Sequence, residues 1–191
     1  FSSIAVTGSN VDVTDTNGVV LAAIGATTLD VIAGGAVTQS AAAVVTGATS
    51  ITATGFDITL TDTGNNFGGA VSADGANVDL TDSGSIQLGL ITATTLDVIA
   101  NGSGVITQDA TSVTVTGASS FTATGNNITL TDVDNDFQSA VTLAGSTVQI
   151  RDANALDIGS ATATNTLTVI AATAITDSGN ISVTNNASFN G

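Results

Sequence analysis

The sequence predicts an all-β fold, a right-handed parallel β-helix (β-solenoid). Three observations lead there: a strand-and-turn composition, period-two alternation of apolar residues, and a long internal repeat. The composition comes first. The 191 residues contain no Pro, Cys, Met, Trp, Tyr or His, and every acidic residue is Asp. Glu and Lys, which normally build the solvent face of helices, are absent. Thr, Val and Ile dominate instead, and their branched β-carbons pack well on a pleated surface. Gly, Asn and Asp supply turns, because they tolerate positive φ or bond their own backbone. With 42% hydrophobic residues and a mean hydropathy of +0.45, the chain is too apolar for a solvated coil.

The alternation comes second. Ile58/Leu60, Val71/Ala73, Val78/Leu80 and Ile86/Leu88 place apolar side chains on one face and mostly Thr, Asp and Ser on the other. Thr63-Gly64-Asn65, Asp74-Gly75 and Ser83-Gly84 read as the turns between strands. Phe67, Phe121 and Phe137 are expected to plug wide corners of the core.

The repeat comes third. LDVIA begins at Leu29 and again at Leu96, and LTVIA begins at Leu167. These markers give a long repeat of about 67–71 residues. TGATSITATG from Thr46 matches TGASSFTATG from Thr116, and ITLTD occurs at Ile58 and Ile128. NVDVTD from Asn10, NVDLTD from Asn77 and TVQIRD from Thr147 are one element in three copies. Within a repeat, Ile51, Val71 and Ile91 are evenly spaced, and so are Ile58, Val78 and Val98. The spacing predicts coils of about 20–23 residues with about three strands each, the size of a β-helix turn. Stacked roughly 4.8 Å apart, nine or so coils make a rod on the order of 40 Å long. A β-sandwich would also show short alternating strands, but sandwiches are not expected to repeat internally. Right-handed winding is the rule for parallel crossovers.

The predicted organisation is one uncapped β-helix segment, 1–191, with repeats at 1–28 (partial), 29–95, 96–166 and 167–191 (partial). Phe1 stands near the repeat phase of Phe67, so the chain is expected to be a slice of a longer array. Stacking should place Thr61 over Thr81 as a hydroxyl ladder, and Asp62 over Asp82 as a repulsive carboxylate pair.

In ITLTD, the N-N/D-F of Asn65-Asn66-Phe67 and Asn135-Asp136-Phe137, and the following G-x-x-V-x-L/I-x-D, the chain resembles the repeats of giant secreted bacterial proteins of the filamentous haemagglutinin kind. The resemblance covers nearly the whole chain. It implies a right-handed β-helix at the cell surface, serving as an adhesin stalk or matrix fibre.

Charge and residue type narrow the function. One Arg against 16 Asp gives a formal charge of −15. Nothing here would neutralise nucleic-acid phosphates or bind an anionic membrane surface. No apolar run reaches the roughly 18 residues of a membrane helix. Acid–base and nucleophilic catalysis usually draw on His, Cys, Lys, Tyr or paired carboxylates. The first four are missing, so no enzyme is expected; a carbohydrate-active β-helix is the least favoured alternative. Thr-x-Thr pairs at Thr52/Thr54, Thr59/Thr61, Thr122/Thr124 and Thr129/Thr131 raise the alternative of a binding module for ice or glycan. One coil on, however, Thr52 and Thr54 are expected to meet Ser72 and Asp74.

Asp132, Asp134 and Asp136 alternate through one turn, and hard oxygen donors at this spacing suit Ca²⁺. Phe137 stands where an EF-hand loop needs Gly, and the corresponding turn from Asp62 keeps one carboxylate, so a solvated Asx-rich turn is preferred. No other cofactor is expected. Arg151 beside Asp152 reads as a surface charge pair of little worth. The expected product is a secreted, cell-surface structural or adhesive segment. Its expected partners are itself end to end, the continuation of the same chain, or host, neighbouring-cell or matrix glycans.

Overall fold

The computed structural model describes residues 3–191; Phe1, and with it the comparison to Phe67, lies outside the described residues. Among them there are only strands and turns, all strand pairings are parallel, and the chain winds as a β-solenoid of about nine turns. Two long strands open each repeat: β1 (Ile4–Asp15) and β2 (Val19–Ala33). Five short ones follow: β3 (Val37–Gln39), β4 (Ala43–Val45), β5 (Thr49–Thr52), β6 (Ile58–Leu60) and β7 (Asn66–Phe67). The cycle restarts with β8 (Ala70–Asp82) and β9 (Ile86–Ala100). Their short followers are β10 (Ile106–Gln108), β11 (Val113–Val115), β12 (Ser119–Thr122), β13 (Ile128–Leu130) and β14 (Asp136–Phe137). It begins a third time with β15 (Val141–Asp152) and β16 (Leu156–Ala171), then β17 (Ile175–Asp177), β18 (Ile181–Val183) and β19 (Asn186–Asn190).

The coils are not uniformly three-stranded. The long β9 alone pairs with β10, β11 and β12. Its buried apolar residues alternate within each face, Ile91/Ala93 against β11 and Leu96/Val98 against β12, and the phase shifts by one across Thr94-Thr95, where the strand turns the corner without breaking. Asp74-Gly75, read as a turn, lies inside β8. A Cβ on Gly75 would sit 2.9 Å from Ile58 Cδ1 and 3.0 Å from the Phe56 carbonyl oxygen. Gly is needed there for close approach at a bend in a continuous strand, not for a reversal.

Coil length varies along the rod. Val78 lies beside Leu96, and Leu96 in turn lies beside Ser119, a longer step along the sequence. Ile51 likewise stacks on Ala73 rather than Val71, and Val13, Val31, Ile51, Ala73, Ile91 and Val113 form one column. Every member is buried, and each large aliphatic contributes about 1.5–3 kcal/mol by leaving water. Phe67, Phe121 and Phe137 are core residues as expected. The Phe121 and Phe137 rings meet edge to face, 5.9 Å apart at 81°, the arrangement their quadrupoles favour.

Candidate functional site

The acidic turn lies between β13 and β14, on the outside of the solenoid. Asp132 and Asp136 are half-buried and Asp134 is exposed. The Asp132 carboxylate accepts the Asp134 N–H at 2.9 Å, closing an Asx turn. Asp136 accepts from the Gln138 amide at 2.8 Å and from the Asn154 amide, one coil on, at 3.2 Å. Among the described residues no group of three or more acidic side chains is arranged to hold a metal ion.

Beneath this turn is a polar cluster that residue-type reasoning missed. Asn135 is fully buried. Its carbonyl oxygen accepts from Gln108 Nε2 and from the Val113 N–H, both at 2.9 Å. Its amide donates to Gln108 Oε1 at 2.8 Å, so the two side chains bond reciprocally. Gln108 Nε2 also donates to the Thr111 carbonyl at 3.0 Å, and Gln108 Oε1 accepts the Asp132 N–H at 3.2 Å. On the next coil the buried Asp152 accepts the Phe137 N–H at 2.7 Å and the Asn154 N–H at 2.6 Å.

The preceding repeat builds the same object. Asn65 bonds reciprocally with Gln39, at 2.8 and 2.9 Å, and accepts the Ala43 N–H at 2.8 Å. It also donates to the Leu60 and Thr81 carbonyls, each at 3.1 Å. Asp82 accepts the Phe67 N–H at 2.6 Å and the Gly84 N–H at 2.7 Å. The corner amides of short strands have no ladder partner in every layer, and these side chains satisfy them.

The expected ladder of Asp62 over Asp82 is therefore replaced by a division of labour. Asp62 caps its own turn, accepting the Gly64 N–H at 2.8 Å, while Asp82 turns inward. The Thr61–Thr81 ladder also fails to form as a surface feature: Thr61 is exposed and Thr81 is buried, because β6 ends at Leu60 while β8 runs on to Asp82. The signal in the sequence was the recurrence of Gln39, Asn65 and Asp82 at Gln108, Asn135 and Asp152.

Burial pushes the Asp82 carboxyl above the usual carboxylate range, and the two backbone N–H groups oppose the shift. Asp152 behaves alike, with the nearby Asp136 charge adding to the rise. Arg151 lies in register beside Ile170, while the neighbouring carboxylate faces the corner amides. On the outer face Asp79 is raised by partial burial and then by the charges of Asp97, its register partner, and Asp57.

The outward Thr residues do not form a uniform array. Thr14, Ile32, Thr52, Asp74, Thr92 and Thr114 occupy one column. Thr52 stacks on Asp74, not Ser72, because this coil is longer than the mean spacing suggests. Thr54 donates to Asp74 at 2.6 Å. Beside them a shallow cavity of about 290 Å³ is lined by Ser50, Thr52, Ser72, Asp74, Leu90 and Thr92.

In-register coils, a polar corner rebuilt in successive repeats and a continuous aliphatic column define a repeat protein of the β-solenoid class. The chain belongs to the family described as repeats of unknown function (DUF5649), whose repeat matches residues 8–74, 75–144 and 145–191. These copies begin at Gly8, Gly75 and Gly145; the last two open G-x-x-V-x-L/I-x-D, and the first opens the same element with Val13 in the L/I place. Comparisons with curated proteins and with solved structures gave no match.

Proposed function

We propose that this chain is a non-catalytic structural segment of an extracellular fibre or giant surface adhesin, of the filamentous haemagglutinin kind. The observation that carries the reading is the unbroken axial stacking, in which one inner column runs from Val13 to Val113. A solenoid of this kind gains length by adding coils, since each coil contacts only its neighbours. The side-chain repertoire supports the same reading. The polar groups held most firmly, Asn65, Asn135, Asp82 and Asp152, are used up on backbone amides inside the rod. The outer surface carries hydroxyls and carboxylates with scattered apolar side chains such as Ile32, Val44 and Leu90, and a net charge of −15 keeps rods apart from one another. The partners proposed are further coils along the same axis and glycans of neighbouring surfaces.

The test is immunogold labelling of intact source cells with an antibody to this chain, paired with attachment assays on a deletion strain. Surface filaments that carry label, and weaker attachment on deletion, are expected. Label confined to the cytoplasm, with attachment unchanged, would refute the proposal.

A further inference from the structure

We propose that Asn101–Gly102 is a site of spontaneous succinimide formation, by which Asn101 is converted to aspartate and isoaspartate with water as the co-reactant. The Gly102 backbone nitrogen attacks Asn101 Cγ. The new bond from that nitrogen to Cγ closes a five-membered ring, and the bond between Cγ and Nδ2 breaks. The amide nitrogen leaves as ammonia, carrying the Gly102 proton. Water then opens the ring at either carbonyl. No oxidant or reductant is required.

Attack needs a nitrogen without a competing bond and a free side-chain amide, and the corner between β9 and β10 provides both. Gly102 is exposed at φ +60°, and a side chain there would meet only the Ser83 carbonyl, at 3.6 Å. Among the described residues neither the Asn101 side chain nor the Gly102 N–H makes a hydrogen bond. The bonds that hold the corner lie to either side: Asn101 N–H to the Asp82 carbonyl and Gly104 N–H to the Asn101 carbonyl, both at 2.9 Å.

Asn17–Gly18 provides an internal contrast with the same two residue types. There the backbone N–H and the side-chain amide of Asn17 both donate to Asp15 Oδ1, at 2.8 and 3.4 Å. A Cβ on Gly18 would lie 2.7 Å from the Ala36 carbonyl oxygen, so this backbone is packed against the next coil. Asn190, the third Asn before a Gly, is held in the β19 ladder beside Ile170. The corners equivalent to Asn101–Gly102 carry Gly34-Gly35 and Ala172-Thr173, so the reaction is confined to one repeat. Its product adds a negative charge, and the isoaspartyl form lengthens the backbone by one carbon at a corner where Gly102 is exposed.

The test incubates the intact protein at mildly alkaline pH and physiological temperature. Conversion at each Asn is followed by peptide mass mapping, with fragmentation that separates aspartate from isoaspartate. Asn101 is expected to convert about tenfold faster than Asn17, since reaction of this kind depends on reaching a near-attack geometry. The isoaspartyl product is expected at residue 101, and Asn101→Gln should remove the fast phase of ammonia release. Conversion of Asn17 as fast as Asn101 would overturn the proposal. So would an intact Asn101 at a time when an unstructured peptide of the same sequence has reacted, or ammonia release unchanged by Asn101→Gln.

Discussion

The inner corner and the outer face of this solenoid use the same residue type to opposite ends. Asp82 and Asp152 are buried, and each accepts two backbone N–H groups. Asp79 and Asp97 stand side by side on the outer face, where their charges repel. In both places a carboxyl is pushed upward, first by desolvation; inside, two backbone hydrogen bonds resist the rise, and outside no hydrogen bond among the described residues opposes it and the charges of Asp97 and Asp57 add to it. The comparison teaches that position within a coil decides what an Asp does. A corner Asp substitutes for missing ladder bonds, whereas a face Asp such as Asp79 or Asp97 adds charge beside its like.

The sharpest way to break the comparison is to empty the corner. Asn135→Ala leaves the Val113 N–H and both ends of the Gln108 amide without their buried partner. It should cost about 3 kcal/mol, because orphaned buried groups lose hydration without compensation. Asn65→Ala should cost a similar amount. Urea denaturation checks the total, and hydrogen exchange at the Val113 and Ala43 amides checks that the loss is local. A cost below that of an ordinary surface substitution would mean that water replaces the side chain.

The second prediction is a pH dependence. The carboxyls of Asp82 and Asp152 are raised above their ordinary value in the folded state. Above the folded-state pKa each is ionised whether folded or unfolded, and its burial then costs stability. As pH falls, each takes up its proton first in the folded state. Stability should therefore rise as pH falls through the folded-state pKa, and level off below the unfolded value of 3.8. Thermal melts across this window should show the rise, and the double substitution Asp82→Asn, Asp152→Asn should reduce it, leaving the share that the raised Asp79 carboxyl contributes.

A smaller effect concerns the two buried hydroxyls without a partner among the described residues, Thr49 Oγ1 and Ser119 Oγ, at corresponding places in the two repeats. Thr49→Val keeps the shape and removes the unbonded oxygen. It should gain about 1 kcal/mol, read as a higher denaturation midpoint. The smallest effect belongs to the outer face. Asp79→Asn relieves its repulsion from Asp97 and should gain no more than about 0.5 kcal/mol. The gain should shrink with added salt, which screens exposed charges.

Much of this was legible before the structure. The alternation of Ile58/Leu60 and Val78/Leu80 gave their inward faces correctly, and Phe67, Phe121 and Phe137 are core residues as expected. The register was legible only on average. Ile51 meets Ala73 because the coil between them is longer than the mean, and a mean spacing hides such local additions. The polar corner was harder still. Gln39 and Asn65 are far apart in sequence, and nothing in either residue type distinguishes a buried amide pair from two solvated turn residues.

Composition and repeat by themselves determined that this protein forms stacked parallel strands around an aliphatic column. Branched residues in alternation have one economical way to bury a face in every copy. Only the tertiary structure decided which Asp turns in, which Gly bends a continuous strand and which Asn is left free to react. Those outcomes depend on what the neighbouring coil presents at the same height: an unpaired N–H in front of Asp82, the Phe56 carbonyl against Gly75, and no bonding partner for the Asn101 side chain among the described residues.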